Sequence, residues 1–88
     1  MDELVMIDAA DSGNLELVQW LRGEGCPWSW VTCRCAVDLG HVEVLRWARE
    51  NGCPWIAWIR DEAAAKLGYT DDFGNLLEFS DDENSDDE

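Results

Sequence analysis

Four cysteines (Cys26, Cys33, Cys35 and Cys53) and one histidine (His41) are the side chains of this 88-residue chain best suited to hold a metal or a redox couple. Zinc requires every sulfur at about 2.3 Å, and a disulfide requires Cα atoms within roughly 7 Å. Cys33 and Cys35 lie two apart on what reads as a helix, so they point to different sides. Cys26-Pro27-Trp28 and Cys53-Pro54-Trp55 are the same tripeptide 27 residues apart. Equivalent places in stacked units lie about 8–10 Å apart, too far for either bond. The thiols are therefore expected as small buried hydrophobes without cofactor or metal, with a small metal-binding protein as the competing reading. His41 stands where Asn14 and Tyr69 stand in the other units, which makes it a turn residue. No glycine-rich phosphate loop, Ser/His/Asp set or paired acid in a pocket can be assembled, and the chain is read as a non-enzyme.

The elements that would position these residues are written twice. Ala9-Ala10-Asp11-Ser12-Gly13-Asn14-Leu15-Glu16-Leu17-Val18-Gln19-Trp20-Leu21-Arg22 recurs as Ala36-Val37-Asp38-Leu39-Gly40-His41-Val42-Glu43-Val44-Leu45-Arg46-Trp47-Ala48-Arg49. A third copy opens at Ala64-Ala65-Lys66-Leu67-Gly68, shifted by 28, and stops. A fixed period of this length marks units that bury their apolar faces against their neighbours. Each unit reads as two helices. The first helices are placed at Glu3 to about Ser12, Ser29 to about Leu39, and Trp58 to about Leu67. Ser29 is a natural N-cap, and Gly13, Gly40 and Gly68 let the chain reverse. The second helices are placed at Leu15–Glu24 and Val42–Asn51, closed by Gly25 and Gly52 with a proline two residues on. No segment reads as a strand. Because Trp20 and Trp47, Trp28 and Trp55, Trp30 and Trp58, and Cys26 and Cys53 recur, they are assigned to stacking rather than to a ligand.

The run A-A-x-x-G-N-L-E-L-V-x-W-L, with its second copy G-H-V-E-V-L-x-W-A, resembles the ankyrin repeat. The added W-L/A-R-x-x-G-C-P-W resembles a Trp-rich, short-repeat ankyrin-like subfamily of protists, algae and giant viruses. The likeness covers about residues 3–70 and implies an all-α helix-turn-helix solenoid of about two and a half repeats: 3–28, 29–55 and a partial 56–70. It also implies protein–protein interaction through the first-helix face. The ankyrin unit has about 33 residues, and the residues missing here all fall between the helix-closing glycine and the next Ala pair. A short Cys-Pro-Trp-Ser-Trp connection is expected in place of the family's hairpin finger. Arg22 and Arg49 take a position where ankyrin has leucine, and are expected at a solvent-facing edge.

Charge narrows the partner. The net charge is −14, and the stretch from Asp71 to Glu88 carries nine acids and no base. Such a surface repels phosphate backbones and anionic lipid, so neither nucleic acid nor membrane is expected. The first residues, Met1-Asp2-Glu3-Leu4-Val5-Met6, show no basic flank and no long apolar run, which reads as an intracellular protein, cytoplasmic or nuclear, and as a monomer. Phe73, Leu76 and Leu77 at i, i+3, i+4 read as a capping helix over 71–79, with a partner-binding acidic-hydrophobic motif as the alternative. Residues 80–88 read as a disordered acidic tail in which Ser80 and Ser85, each followed by three acids, resemble acceptors for acidophilic kinases.

The expected function is a non-catalytic protein-interaction module; a fragment or remnant of a longer array without independent function is the alternative. Stacking uses what recurs, so a partner must read what changes between units. On the first helices these positions are Arg34 and Glu62, Asp38 and Lys66, and Asp8 and Cys35. A basic protein is the partner this charge balance favours.

Overall fold

The computed structural model describes residues 2–77. Five helices follow in chain order: α1 (Glu3–Ser12), α2 (Leu15–Gly23), α3 (Trp30–Leu39), α4 (Val42–Glu50) and α5 (Ala57–Leu67). The molecule is therefore mostly helical. α1, α3 and α5 lie side by side in one layer, and α2 and α4 form a second layer against it. The core between them holds Met6, Ala9, Val18, Leu21, Cys33, Ala36, Leu45, Ala48, Ile59 and Ala63, each at most 2% exposed. The small Ala9, Ala36 and Ala63 sit in the middle of the first helices and let neighbouring axes approach closely.

The helix ends follow the local sequence. Ser29 Oγ accepts from the Val31 N–H at 3.2 Å, and Asn14 Oδ1 accepts from the Leu17 N–H at 3.1 Å. Each bond satisfies a donor that a helix start leaves without an intrahelical partner. Gly13, Gly40 and Gly68 close the first helices with φ of 75°, 76° and 67°, values at which a side chain is strained. The N–H groups of Asn14 and His41 then reach back five residues, to the carbonyls of Ala9 and Ala36. No hairpin lies between Cys26 and Cys33; α3 simply begins at Trp30.

Three expectations change. First, the extra residue of the third copy is absorbed at the end of α5. There the Tyr69 N–H reaches back six residues, to the Ala63 carbonyl. The N-caps Asp2, Ser29 and Ile56 keep the 27-residue step. In the helix bodies Trp58 is therefore the counterpart of Val31 and Leu4, not of Trp30.

Second, strands exist. Trp55–Ile56 (β1) pairs in parallel with Leu76–Leu77 (β2), Trp55 opposite Leu76 and Ile56 opposite Leu77. A two-residue pairing is too short to leave an alternating pattern.

Third, residues 71–77 contain no helix. Asp71 Oδ1 accepts from the Phe73 N–H at 3.2 Å, and Gly74 and Asn75 take φ of 83° and 54°. Two consecutive left-handed residues break a right-handed helix. Residues 78 and 79 of the expected helix, and the tail from 80 to 88, lie outside the described residues.

Candidate functional site

The outer face of the first-helix layer is built by the 27-residue register. One row across it is Leu4, Val31 and Trp58; the next is Asp8, Cys35 and Glu62; then come Asp11, Asp38 and Ala65. All are exposed or half-buried, with Leu4 at 70% and Trp58 at 48%. An apolar row thus runs beside acidic ones. The helices carry these positions outward because their opposite faces, with Ala9, Ala36 and Ala63, are in the core.

The four residues expected to contact a partner all lie on this face, joined in two pairs. Arg34 bridges Asp38 at 3.5 Å, and Lys66 bridges Glu62 at 3.8 Å, both one turn apart on a helix. Arg34 also lies over the Trp58 ring, 5.8 Å from its centroid, and so ties α3 to α5. Exposed pairs of this kind contribute little stability, about 0–1 kcal/mol. Asp8 and Asp11 have no ion-pair partner among the described residues. The bases on the face are matched and some of the acids are not. Burial raises the pKa of the Cys35 thiol, and the carboxylates of Asp11 and Asp38 raise it further against the opposing pull of Arg34. At neutral pH that thiol is protonated and a poor nucleophile.

The cysteines have definite places. Cys26 Sγ donates to the Asp2 carbonyl at 3.2 Å, and Cys53 Sγ donates to the Ser29 carbonyl at 3.3 Å. Each thiol closes its unit onto the residue that caps its own first helix. The contact between Cys33 Sγ and Cys53 Sγ, 3.3 Å in the core, is not among the sequence expectations, which set Cys53 against its equivalent Cys26 and Cys33 against its neighbour Cys35. That contact and burial raise the Cys33 pKa well above its ordinary value. His41 Nε2 donates to the Asp11 carbonyl at 3.0 Å. Its ring lies so close over Gly13 that a Cβ there would meet it at 2.6 Å. It joins one turn to the preceding one. Ser80 and Ser85 lie outside the described residues.

The arginines of R-x-x-G-C-P-W depart from the expected solvent edge to different degrees, Arg22 being half-buried and Arg49 buried. Arg49 is 1% exposed, not at a solvent edge. Its Nη1 donates to the Cys53 carbonyl, its guanidinium lies 4.2 Å over the Trp55 ring, and Nε bridges Asp71 at 3.0 Å. Arg22 repeats the first two contacts, donating to the Cys26 carbonyl at 2.7 Å and lying 4.3 Å over Trp28. The helix-closing glycine turns the chain back, so residues i+4 and i+6 fold over the arginine at i. The signal was the fixed spacing of Arg, Cys and Trp in both copies.

The tryptophans divide by position. Trp47 is half-buried and meets Trp28 of the preceding unit edge-on, with centroids 5.8 Å apart. Trp20, its counterpart, is 57% exposed, contrary to its expected place in the stack. Trp55 is 2% exposed because Tyr69 meets it edge-on at 6.0 Å, where a further second helix would otherwise bring a tryptophan.

These features define a mostly helical chain with an apolar and acidic outer face and no helix among the described residues long and apolar enough to cross a membrane. No protein-family model, no curated protein and no solved structure matches it.

Proposed function

We propose that this chain is a non-catalytic protein-interaction module, an ankyrin-type solenoid of about two and a half repeats that binds through the outer face of α1, α3 and α5. The observation that carries the reading is the side-by-side rows of that face: Leu4, Val31 and Trp58 apolar, Asp8, Asp11, Asp38 and Glu62 acidic. Exposed apolar side chains aligned across three helices supply contact area, and a rim of like charge selects its complement. The partner is a protein segment with basic side chains flanking apolar ones. Nucleic acid and anionic membrane would be repelled by the same carboxylates. The module acts as a monomer inside the cell, without a cofactor.

The test begins with a partner isolated by affinity capture from the source cell and confirmed with purified components. Binding should weaken in high salt, on deleting Asp81–Glu88, and on changing Asp8 and Asp11 together to Lys. Reversing Arg34 and Lys66 to Glu should weaken it as well, because Arg34 then leaves its place over the Trp58 ring and both helix pairs are lost, which shifts the side chains a partner would contact. A confirmed partner that tolerates every one of these changes binds elsewhere, and the segment around Phe73, 51% exposed, becomes the next surface to mutate.

A further inference from the structure

The two ends of the helical stack differ in chemistry. Toward the C-terminal end, the position occupied by Met6 and Cys33, both fully buried, is taken by the exposed Arg60. Trp55, the closing tryptophan of the second unit, is covered by Tyr69 and by the pairing of β1 with β2. That end is finished with a charge and a strap. The N-terminal end keeps interior residue types. Val5 is 42% exposed, whereas its counterparts Thr32 and Ile59 are fully buried. Trp20 is 57% exposed, whereas Trp47 is packed on Trp28. Leu17 is half-buried where Val44 is 1% exposed.

We infer that the N-terminal end of the stack is an assembly surface that accepts one more helix pair of this same repeat, seated through the tryptophan of its C-P-W turn against Trp20. The occupant follows from the interior junction, because Val5, Leu17 and Trp20 have as 27-residue counterparts Thr32 and Val44, which are buried, and Trp47, which is packed on Trp28. The ring that covers Trp47 is Trp28, the sixth residue after Arg22. A preceding unit would bring its own closing tryptophan to Trp20 at the same offset, and a first helix over Val5 as α1 covers Thr32. Apolar surface left on one end of a stack is covered either by a cap, as Tyr69 and the strap cover Trp55, or by another unit. The match of Val5, Leu17 and Trp20 to positions covered by a unit favours the second. A second copy of this chain does not supply the match, since its own last closing tryptophan, Trp55, lies beneath Tyr69. This surface is separate from the outer face proposed above for a partner, and either can hold without the other.

The test is an extended chain in which a second copy of residues 2–28 precedes Asp2, preserving the 27-residue step. Hydroxyl-radical labelling read by mass spectrometry follows individual tryptophans, with Trp55 as the internal measure of folding. The expected result is a several-fold fall in labelling of Trp20 in the extended chain, with Trp55 protected in both chains. A control extension carrying Trp28→Ala in the added copy should leave Trp20 labelled nearly as in the native chain. Equal labelling of Trp20 with and without the extension, Trp55 remaining protected, overturns the proposal. So does a native chain that dimerises in sedimentation with Trp20 protected, because the occupant would then be a second copy.

Discussion

Arg49 and Asp71, 22 residues apart in the chain, form a buried two-point ion pair, with Nε to Oδ2 at 3.0 Å and Nη2 to Oδ1 at 3.2 Å. The same guanidinium donates to the carbonyls of Cys53 and Gly74, and Tyr69 Oη donates to Asp71 Oδ2 at 2.7 Å. One cation thus joins the end of the second unit to the strap that follows α5, in surroundings where an unpaired charge is costly.

The first prediction is a stability profile with two limbs. Burial pushes the Asp71 carboxyl pKa up, but hydrogen bonds from Arg49, Tyr69 and the Phe73 N–H outweigh it and hold the group below its ordinary value. A depressed folded pKa contributes stability that is present above the unfolded value, about 3.9, and is lost as pH falls through the folded one. Tyr69 moves the other way: burial first, then its bond to Asp71, raise its pKa. That contribution is complete below the unfolded value of about 10 and is lost as pH rises beyond it. Urea midpoints measured against pH should fall at both extremes. Asp71→Asn should flatten part of the acid limb; identical limbs in the variant would place the pH dependence on other carboxylates.

The second prediction separates two arginines that look alike in sequence. Arg49→Met strands Asp71 and the Cys53 carbonyl, and should cost about 3–5 kcal/mol, enough to unfold most of so small a domain. Arg22→Met loses one hydrogen bond and one ring contact at a half-buried site, about 1–2 kcal/mol together. Chemical denaturation of both variants decides it, and equal losses would mean that the strap contributes nothing.

Thr32 provides the third. It is fully buried, and its Oγ1 has no hydrogen-bond partner among the described residues. The counterparts in the other units are Val5 and Ile59, so the site accepts a branched apolar side chain. Thr32→Val should stabilise the protein by about 1 kcal/mol by removing an unpaired hydroxyl. A lower urea midpoint for the variant would show that the hydroxyl has a partner.

The fourth concerns three tryptophans. Trp55→Ala should cost about 3–5 kcal/mol, as expected for a large buried ring. Trp20→Ala should lie within about 0.5 kcal/mol of the parent, as for an exposed position without special contacts. Trp47→Ala should fall between them. Superimposable melts for all three variants would contradict the burial pattern described above.

Much of the fold was legible because its determinants are local. The helix starts at Leu15 and Trp30, capped by Asn14 and Ser29, and the glycine closures at Gly13, Gly40 and Gly68 rest on capping and left-handed backbone, which a residue and its near neighbours decide. The grouping of Arg34, Asp38, Glu62 and Lys66 on the outer helix layer was legible for the same reason. Their pairing as Arg34 with Asp38 and Lys66 with Glu62 could have been read from the i, i+4 spacing.

The sequence by itself thus determined the two complete helix pairs, the 27-residue step and the absence of a hairpin between Cys26 and Cys33. The tertiary structure alone decided that Arg49 is buried, that Cys53 meets Cys33 in the core, and that residues 71–77 cap the stack as a strap with Leu76 beside Trp55. It also decided that Trp20 and Trp47, which hold the same position in the 27-residue repeat, differ in exposure. The physical reason is that local sequence sets backbone conformation, whereas burial depends on which neighbouring unit is present to cover a side chain. Repetition equalises the first and cannot equalise the second at the ends of a stack.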